Sequence, residues 1–238
     1  MNKSTPTSSS LKDWQPEEQP RERLLKEGAA SLTVAELLSV CFGSGTRGED
    51  AVALARRLLQ HYGDLDGLLQ APVSHLLAQY GLGAARVAQL KALYELALRL
   101  SEVQLQRAPL GETMSDLHIV SRYLQRKMAA AEHEAFGVMY LDSRHRLLRF
   151  EIPFHGSVDR AHVYPRELVR RCLATNAAAI ILAHNHPSGV CEPSQADIEL
   201  TRNLVGLLKQ IDVRVLDHII VARSATVSLA ARGLIGPG

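Results

Sequence analysis

The apolar residues of this chain change their period part-way along it, and no other feature limits the possible folds as tightly. From Arg21 to Glu102 they recur at helical spacing. LTVAELLSVCF, EDAVALARRLLQHY and the long AARVAQLKALYELALRLSEV each carry an apolar stripe, with DLDGLLQ and VSHLLAQY as shorter helices between them. Thr33 and Glu36 have the spacing of a capping box at the start of the first. Beyond QRAPLGETM, whose Pro and Gly mark a linker, strands enter. FGVMYLD and RLLRFEIPFHG read as strands joined by the polar turn DSRHR, AAAIILAH as a buried strand, and VRVLDHIIVA and ATVSL as two more. Ser115–Ala130, PRELVRRCLATN and SQADIELTRNLVGLLKQ read as helices, the second with proline in its first turn. Helices alone, then helices mixed with strands, predict two domains and an α+β chain. The helical domain spans 21–106 and the mixed one 115–238. The Ser-, Thr-, Pro- and Gln-rich lead, 1–20, is expected to be disordered, with Trp14 available to pack on the body.

Bulk properties exclude several classes. A net charge of +2, with neither half a polycation, leaves no basic tail for nucleic acid. Cys41, Cys172 and Cys191 are scattered and form no CxxC pair, which argues against a disulfide scaffold or a thiolate zinc finger and for free thiols in a reducing compartment. No apolar run is as long as a membrane span, and Met1–Ser10 lacks a signal-peptide core, so the expectation is a soluble, cytoplasmic protein without a membrane partner.

The chemistry concentrates in AHNHPSGVCEPSQAD, residues 183–197. In extended backbone, side chains two apart share a face, so His184 and His186 present two imidazoles to one point at the end of a buried strand. Pro187 stops the strand, the loop reverses, and Asp197 falls in the first turn of the next helix, where its carboxylate can face back. Two imidazoles and a carboxylate make three ligands for a borderline divalent metal, with a fourth position left for water; histidines without clustered thiolates favour zinc. Spacing leaves a second reading open, in which Ser194 and Asp197 merely cap a helix and the histidines bond to backbone. Cys191 lies in the same loop, but a thiolate would compete for the open position.

The motif resembles the JAMM motif of the MPN+ metalloproteases: His-x-His-Pro, then a serine after seven intervening residues, two more, and aspartate. With the flanks VYPRELVRRCLATNAAAIILAHNHPSG, PSQADIELTRNL and LDHIIV, the chain from Arg21 to its end is similar to bacterial RadC family proteins. The resemblance implies an N-terminal helical domain followed by an MPN-like (cytidine-deaminase-like) mixed sheet flanked by helices. It implies His184, His186 and Asp197 as ligands of one Zn2+ per chain, and Ser194 as an oxyanion donor. It also implies an upstream glutamate as general base: Glu134, directly before the first strand, with Glu132 and Glu167 as runners-up. Asn185 departs from the Ser or Thr usual in the eukaryotic enzymes, which leaves the ligands intact and puts their substrate habits in doubt. His218, in LDHIIV, is expected as a packed or paired core histidine.

YGLGAARVAQLKALYELA sets Gly81 and Gly83 in a tight turn before a helix and resembles a helix-hairpin-helix. Non-sequence-specific DNA contact would then come from amides near Gly81 and Gly83, helped by Arg86 or Lys91. GSGTRG, residues 43–48, is a weaker phosphate-cradle candidate. The leading expectation is a zinc metallopeptidase acting on a peptide or protein substrate. The competing ones are a DNA-repair-associated DNA-binding accessory protein with a scaffold-like MPN domain, and a metal-dependent nuclease.

Overall fold

The computed structural model describes residues 15–107, 114–129, 131–156, 163–223 and 225–235. Trp14 and most of the expected linker lie outside them. The chain divides into two compact units, Met1–Leu96 and Ala97–Gly238.

The first unit is helical: α1 (Pro20–Glu27), α2 (Val34–Phe42), α3 (Ala51–Tyr62), α4 (Leu65–Gln70), α5 (Val73–Leu77) and the start of α6 (Ala84–Arg107). Residues 15–20, expected within the disordered lead, hold a 3-10 turn at Pro16–Glu18 and the proline that opens α1, a position where a missing N–H costs nothing. The Thr33–Glu36 capping box forms in both directions, side chain to backbone each way, and Gly43 closes α2 in the left-handed conformation. The apolar stripes meet in one core, where Leu54, Leu58, Leu68, Leu76 and Leu90 are fully buried.

The second unit carries α7 (Met114–Met128), β1 (Ala135–Leu141), β2 (Leu147–His155), α8 (Pro165–Thr175), β3 (Ala179–Asn185), α9 (Gln195–Lys209), β4 (Arg214–Val221) and β5 (Thr226–Ser228). Among the described residues these strands form one mixed sheet in the order β2-β1-β3-β4-β5. Only β3 and β4 run parallel; the other neighbours are antiparallel. Alternation sorts the two faces. Met139, Ile181 and Ile219 pack with Tyr123, Leu124 and Met128 of α7, while Val138, Tyr140, Ile180 and Leu182 pack with Leu168 and Cys172 of α8 and Leu204 and Leu208 of α9. A strand covered on both faces reads as an unbroken apolar run, which is why AAAIILA shows no alternation. The C-terminal end of β3 opens beside the start of α9, the place where strand ends in open α/β sheets present side chains to ligands. No helix among the described residues is long and apolar enough to cross a membrane.

Candidate metal centre

His184 stands on the α8/α9 face of β3, paired across to Phe136 of β1, and is nearly buried at 5% exposure. The chain continues beside β4 for one more residue, His186 N–H donating to Val221 O at 2.8 Å, before Pro187 ends the strand. Gly189, at a φ of 83° that disfavours a side chain, carries the reversal, and its N–H returns to His186 O at 3.0 Å. Ser194 then caps α9 and places Asp197 in its first turn.

The expected convergence is present. His184 Nε2 lies 2.7 Å from His186 Nε2, 3.4 Å from Asp197 Oδ1, and His186 Nε2 is 3.7 Å from Asp197 Oδ2. Every candidate ligand atom of the three is within 4.8 Å of the others. His186 Nδ1 is 2.7 Å from the Val190 carbonyl, which can only accept, so Nδ1 carries the hydrogen and Nε2 keeps its lone pair. Burial alone would raise the Asp197 carboxyl, but hydrogen bonding and charge from His184, then the hydroxyl and N–H of Ser194, hold it well below the usual carboxylate range. The site therefore brings an anion and two imidazole nitrogens to one point. A tetrahedral zinc ion spaces its donor nitrogens about 3.3 Å apart, given bonds of ~2.0–2.1 Å, close to the separations found here. The donor set fits such an ion with small shifts of the rings.

A family model described as RadC-like JAB domain matches residues 114–234, and a UPF0758 N-terminal model matches 11–88. A UPF0758 protein of Stutzerimonas stutzeri (strain A1501) is 48% identical over 224 residues, covering 94% of this chain and 99% of the relative. One from Nitrosococcus oceani is 46% identical over 225 residues, with 94% and 99% covered. This chain belongs to the RadC family. Its second unit carries the JAB (MPN) domain, a fold of metal-dependent hydrolase type.

Within this RadC-like JAB domain the remaining predicted residues separate. Ser194 Oγ donates to Asp197 Oδ2 at 2.7 Å and accepts from Asp197 N–H at 3.2 Å, so the capping box and the ligand cluster are one arrangement. The hydroxyl hydrogen expected at an oxyanion is thus held by Asp197. Glu134 is half-buried directly before β1, its carbonyl accepting from Gly156 N–H at 2.7 Å. Its carboxylate is outside the three-residue cluster. Glu134 directly precedes Ala135, whose N–H is held by the side chain of Asn185, the residue between the two histidines. Glu132 is exposed, and Glu167 is bound to Arg170 first and to Arg171, which pull its carboxyl down to about 2, far from a useful base. Cys191 turns Sγ to Ile220 O at 3.4 Å and is not in the cluster.

Sequence reasoning missed the contacts that Asn185 and Thr201 make and the partner of His218. Asn185, 1% exposed, accepts from Ala135 N–H at 2.7 Å and donates to His133 O at 3.1 Å and Ala131 O at 3.4 Å, gripping the main chain on both sides of Glu134. His218, expected as a packed or paired core histidine, is buried with Nε2 2.9 Å from His184 Nδ1 and Nδ1 2.6 Å from Thr201 Oγ1. The signals were a threonine one turn after Asp197 and a histidine beside Asp217 ahead of an apolar run.

In the UPF0758 N-terminal part, the residues expected to contact DNA make contacts within the unit. The α5–turn–α6 unit exists, but Gly81, at a φ of 86°, serves close packing: a Cβ there would meet Thr46 Cγ2 at 2.7 Å. Arg86 donates to the carbonyls of Gly81 at 2.7 Å, Ser44 at 2.5 Å and Gly45 at 2.9 Å. Lys91 Nζ donates to Leu69 O and Ala71 O at 2.8 and 2.6 Å, and burial lowers its pKa. Both cations tie the GSGTRG turn and the α4 end to α6 through part-buried and exposed main-chain carbonyls. Gly83 alone is open to solvent.

Proposed function

We propose that the RadC-like JAB domain is a zinc-dependent hydrolase, specifically a JAMM-type metallopeptidase acting on a peptide or protein. One observation carries this: two imidazole Nε2 atoms and an ionised carboxylate converge within 4.8 Å at an open strand end. His184, His186 and Asp197 would hold one zinc ion, which supplies Lewis acidity and an activated water. Glu134 takes a proton from the attacking water and hands it to the leaving amine. The Ser194 Oγ stays anchored by Asp197 N–H, while its hydrogen swings from Oδ2 toward the substrate carbonyl oxygen as negative charge develops there. Asn185 limits the drift of the Glu134 segment, which supports the short approach that proton transfer needs.

Metal analysis tests the first half. Purified wild type should carry one zinc per chain, and His186→Ala should lose most of it. A wild type that stays metal-free after refolding with zinc would end the hydrolase reading. Glu134→Gln should retain zinc, lose turnover on a peptide library and trap its substrate. Nucleic acid in place of peptide in the trapped complex would replace the substrate class, and full activity would remove Glu134 from its role.

A further inference from the structure

The row of side chains that includes His184 continues past the ligand cluster to the edge of the sheet. Phe154 of β2 pairs with Phe136 of β1, and Phe136 pairs with His184 of β3, so the three stand side by side across one end of the sheet. Both phenylalanines belong to the core under α8 and α9 and are nearly buried. Phe136 lies parallel to the His184 ring with centroids 6.3 Å apart, and Phe154 follows Phe136 at 6.2 Å. Tyr164 closes the series. Its ring is 6.1 Å from that of Phe154, and the residue is 64% exposed. Chain direction explains its arrival there. α8 packs on this face and leads into β3 through residues 176–178, so its N-terminus lies toward the strand end that carries His184. Tyr164 is the N-cap of α8, a position where Ser, Thr, Asp or Asn would bond a free N–H. Its side chain makes no cap bond, and its hydroxyl has no partner among the described residues. Helix stability alone would select a capping residue here, not a mostly exposed ring.

We propose that Tyr164 is a specificity-determining residue of the candidate peptidase site. It receives an apolar side chain of an extended peptide that runs from the ligand cluster toward the β2 edge of the sheet. The proposal deepens the peptidase reading and rests on it. Strand spacing sets which side chain is received. β2 is the sheet edge, two strands from β3, and neighbouring strands lie about 4.8 Å apart, so the two are roughly 10 Å apart. An extended peptide advances about 3.3 Å per residue, so the side chain that meets Tyr164 stands about three residues from the bond under attack. The chemistry of that side chain follows from the ring. Tyr164 offers uncharged aromatic area, and a side chain that leaves water against it gains most when it is itself apolar. Phe136 and Phe154 then have a use beyond filling the core. They pack His184 and Tyr164 into one series of rings, so strand pairing and the seat of α8 fix the distance between subsite and ligand cluster.

The test uses the full-length, zinc-loaded chain and a mixture of short random-sequence peptides, with cleaved bonds and their flanks read by mass spectrometry. Leu, Ile, Phe or Tyr should be enriched at one position about three residues from the cleaved bond. Between two synthetic peptides that differ only there, wild type should favour Leu over Ser by roughly tenfold in kcat/KM, mostly through KM, as expected from partly burying one leucine side chain. Fluorescence anisotropy of the same two peptides with the metal-free chain should give the same order, since the contact needs no metal. Tyr164→Asn exchanges the ring for a good N-cap residue, so the melting temperature should hold or rise while the preference falls to near unity. Tyr164→Phe should keep the preference. Cleavage without preference in that region, a preference there for Lys or Arg, no difference between the two peptides in anisotropy, or a preference that survives Tyr164→Asn each overturns the subsite and leaves the peptidase reading standing. The wild-type profile decides even should Tyr164→Asn fail to fold. Zinc-loaded wild type that cleaves none of the peptides removes the peptidase reading and the subsite with it.

Discussion

Replacing Asn185 by alanine tests whether the residue between the two histidines holds the segment bearing Glu134. The side chain is 1% exposed and makes three hydrogen bonds, of which the 2.7 Å bond from Ala135 N–H is the strongest by length. Ala135 is itself buried, so its amide finds no water when the partner is removed. Leaving a buried donor unsatisfied costs about 1–3 kcal/mol, and a satisfied neutral bond adds about 1 kcal/mol. The carbonyls of Ala131 and His133 belong to half-buried and exposed residues, and solvent replaces much of what they lose. The expected loss is therefore about 2–4 kcal/mol, dominated by one orphaned amide. Denaturant unfolding of the full chain measures the total, and hydrogen exchange at the Ala135 amide locates it. The amide should lose protection by at least as much as the chain loses stability. A destabilisation below about 0.5 kcal/mol, the range of an ordinary surface change, with unchanged exchange at Ala135 would refute the reasoning.

Two further predictions concern the helical unit. The Glu36 carboxyl is held below its ordinary range by the Thr33 backbone N–H first, against burial, then by the Thr33 hydroxyl and Arg23. A depressed folded pKa contributes stability that is complete above the unfolded value of about 4.3 and is lost as pH falls through the folded one; Glu36→Gln should therefore flatten the acid limb of a stability–pH curve, and an unchanged limb would exclude Glu36 as its source. Arg86→Ala should cost the unit about 2–3 kcal/mol through the loss of charge-assisted bonds to Gly81, Ser44 and Gly45, some of them solvent-screened. Retention on a DNA column should not change; loss of retention at full stability would return Arg86 to the nucleic-acid reading.

The His-x-His pair, the Ser194–Asp197 turn and the Thr33–Glu36 box were legible because each is a short-range device. Alternation along a strand and hydrogen bonding at a helix start follow from backbone geometry within a few residues, and the sequence spacing states them. The contacts of His218 were not legible, since His184 is thirty-four positions away and Thr201 seventeen, and they meet only when β4 pairs with β3 and α9 packs on the sheet. Nor was the tether from Asn185 to Ala135, fifty positions away, which depends on antiparallel β1 arriving at the strand end.

Arg86 shows the converse. Its charge and its place after a glycine turn suggested phosphate, yet it binds carbonyls of a turn 41 and 42 positions earlier. Residue type declares what a side chain can bond to, and the period of the apolar residues declares which elements form. By itself the sequence determined the helices, the strands and the three ligand types at the end of one buried strand. Tertiary structure decided which partners those histidines and cations meet, because hydrogen-bond partners are assigned by what long-range packing brings within about 3 Å.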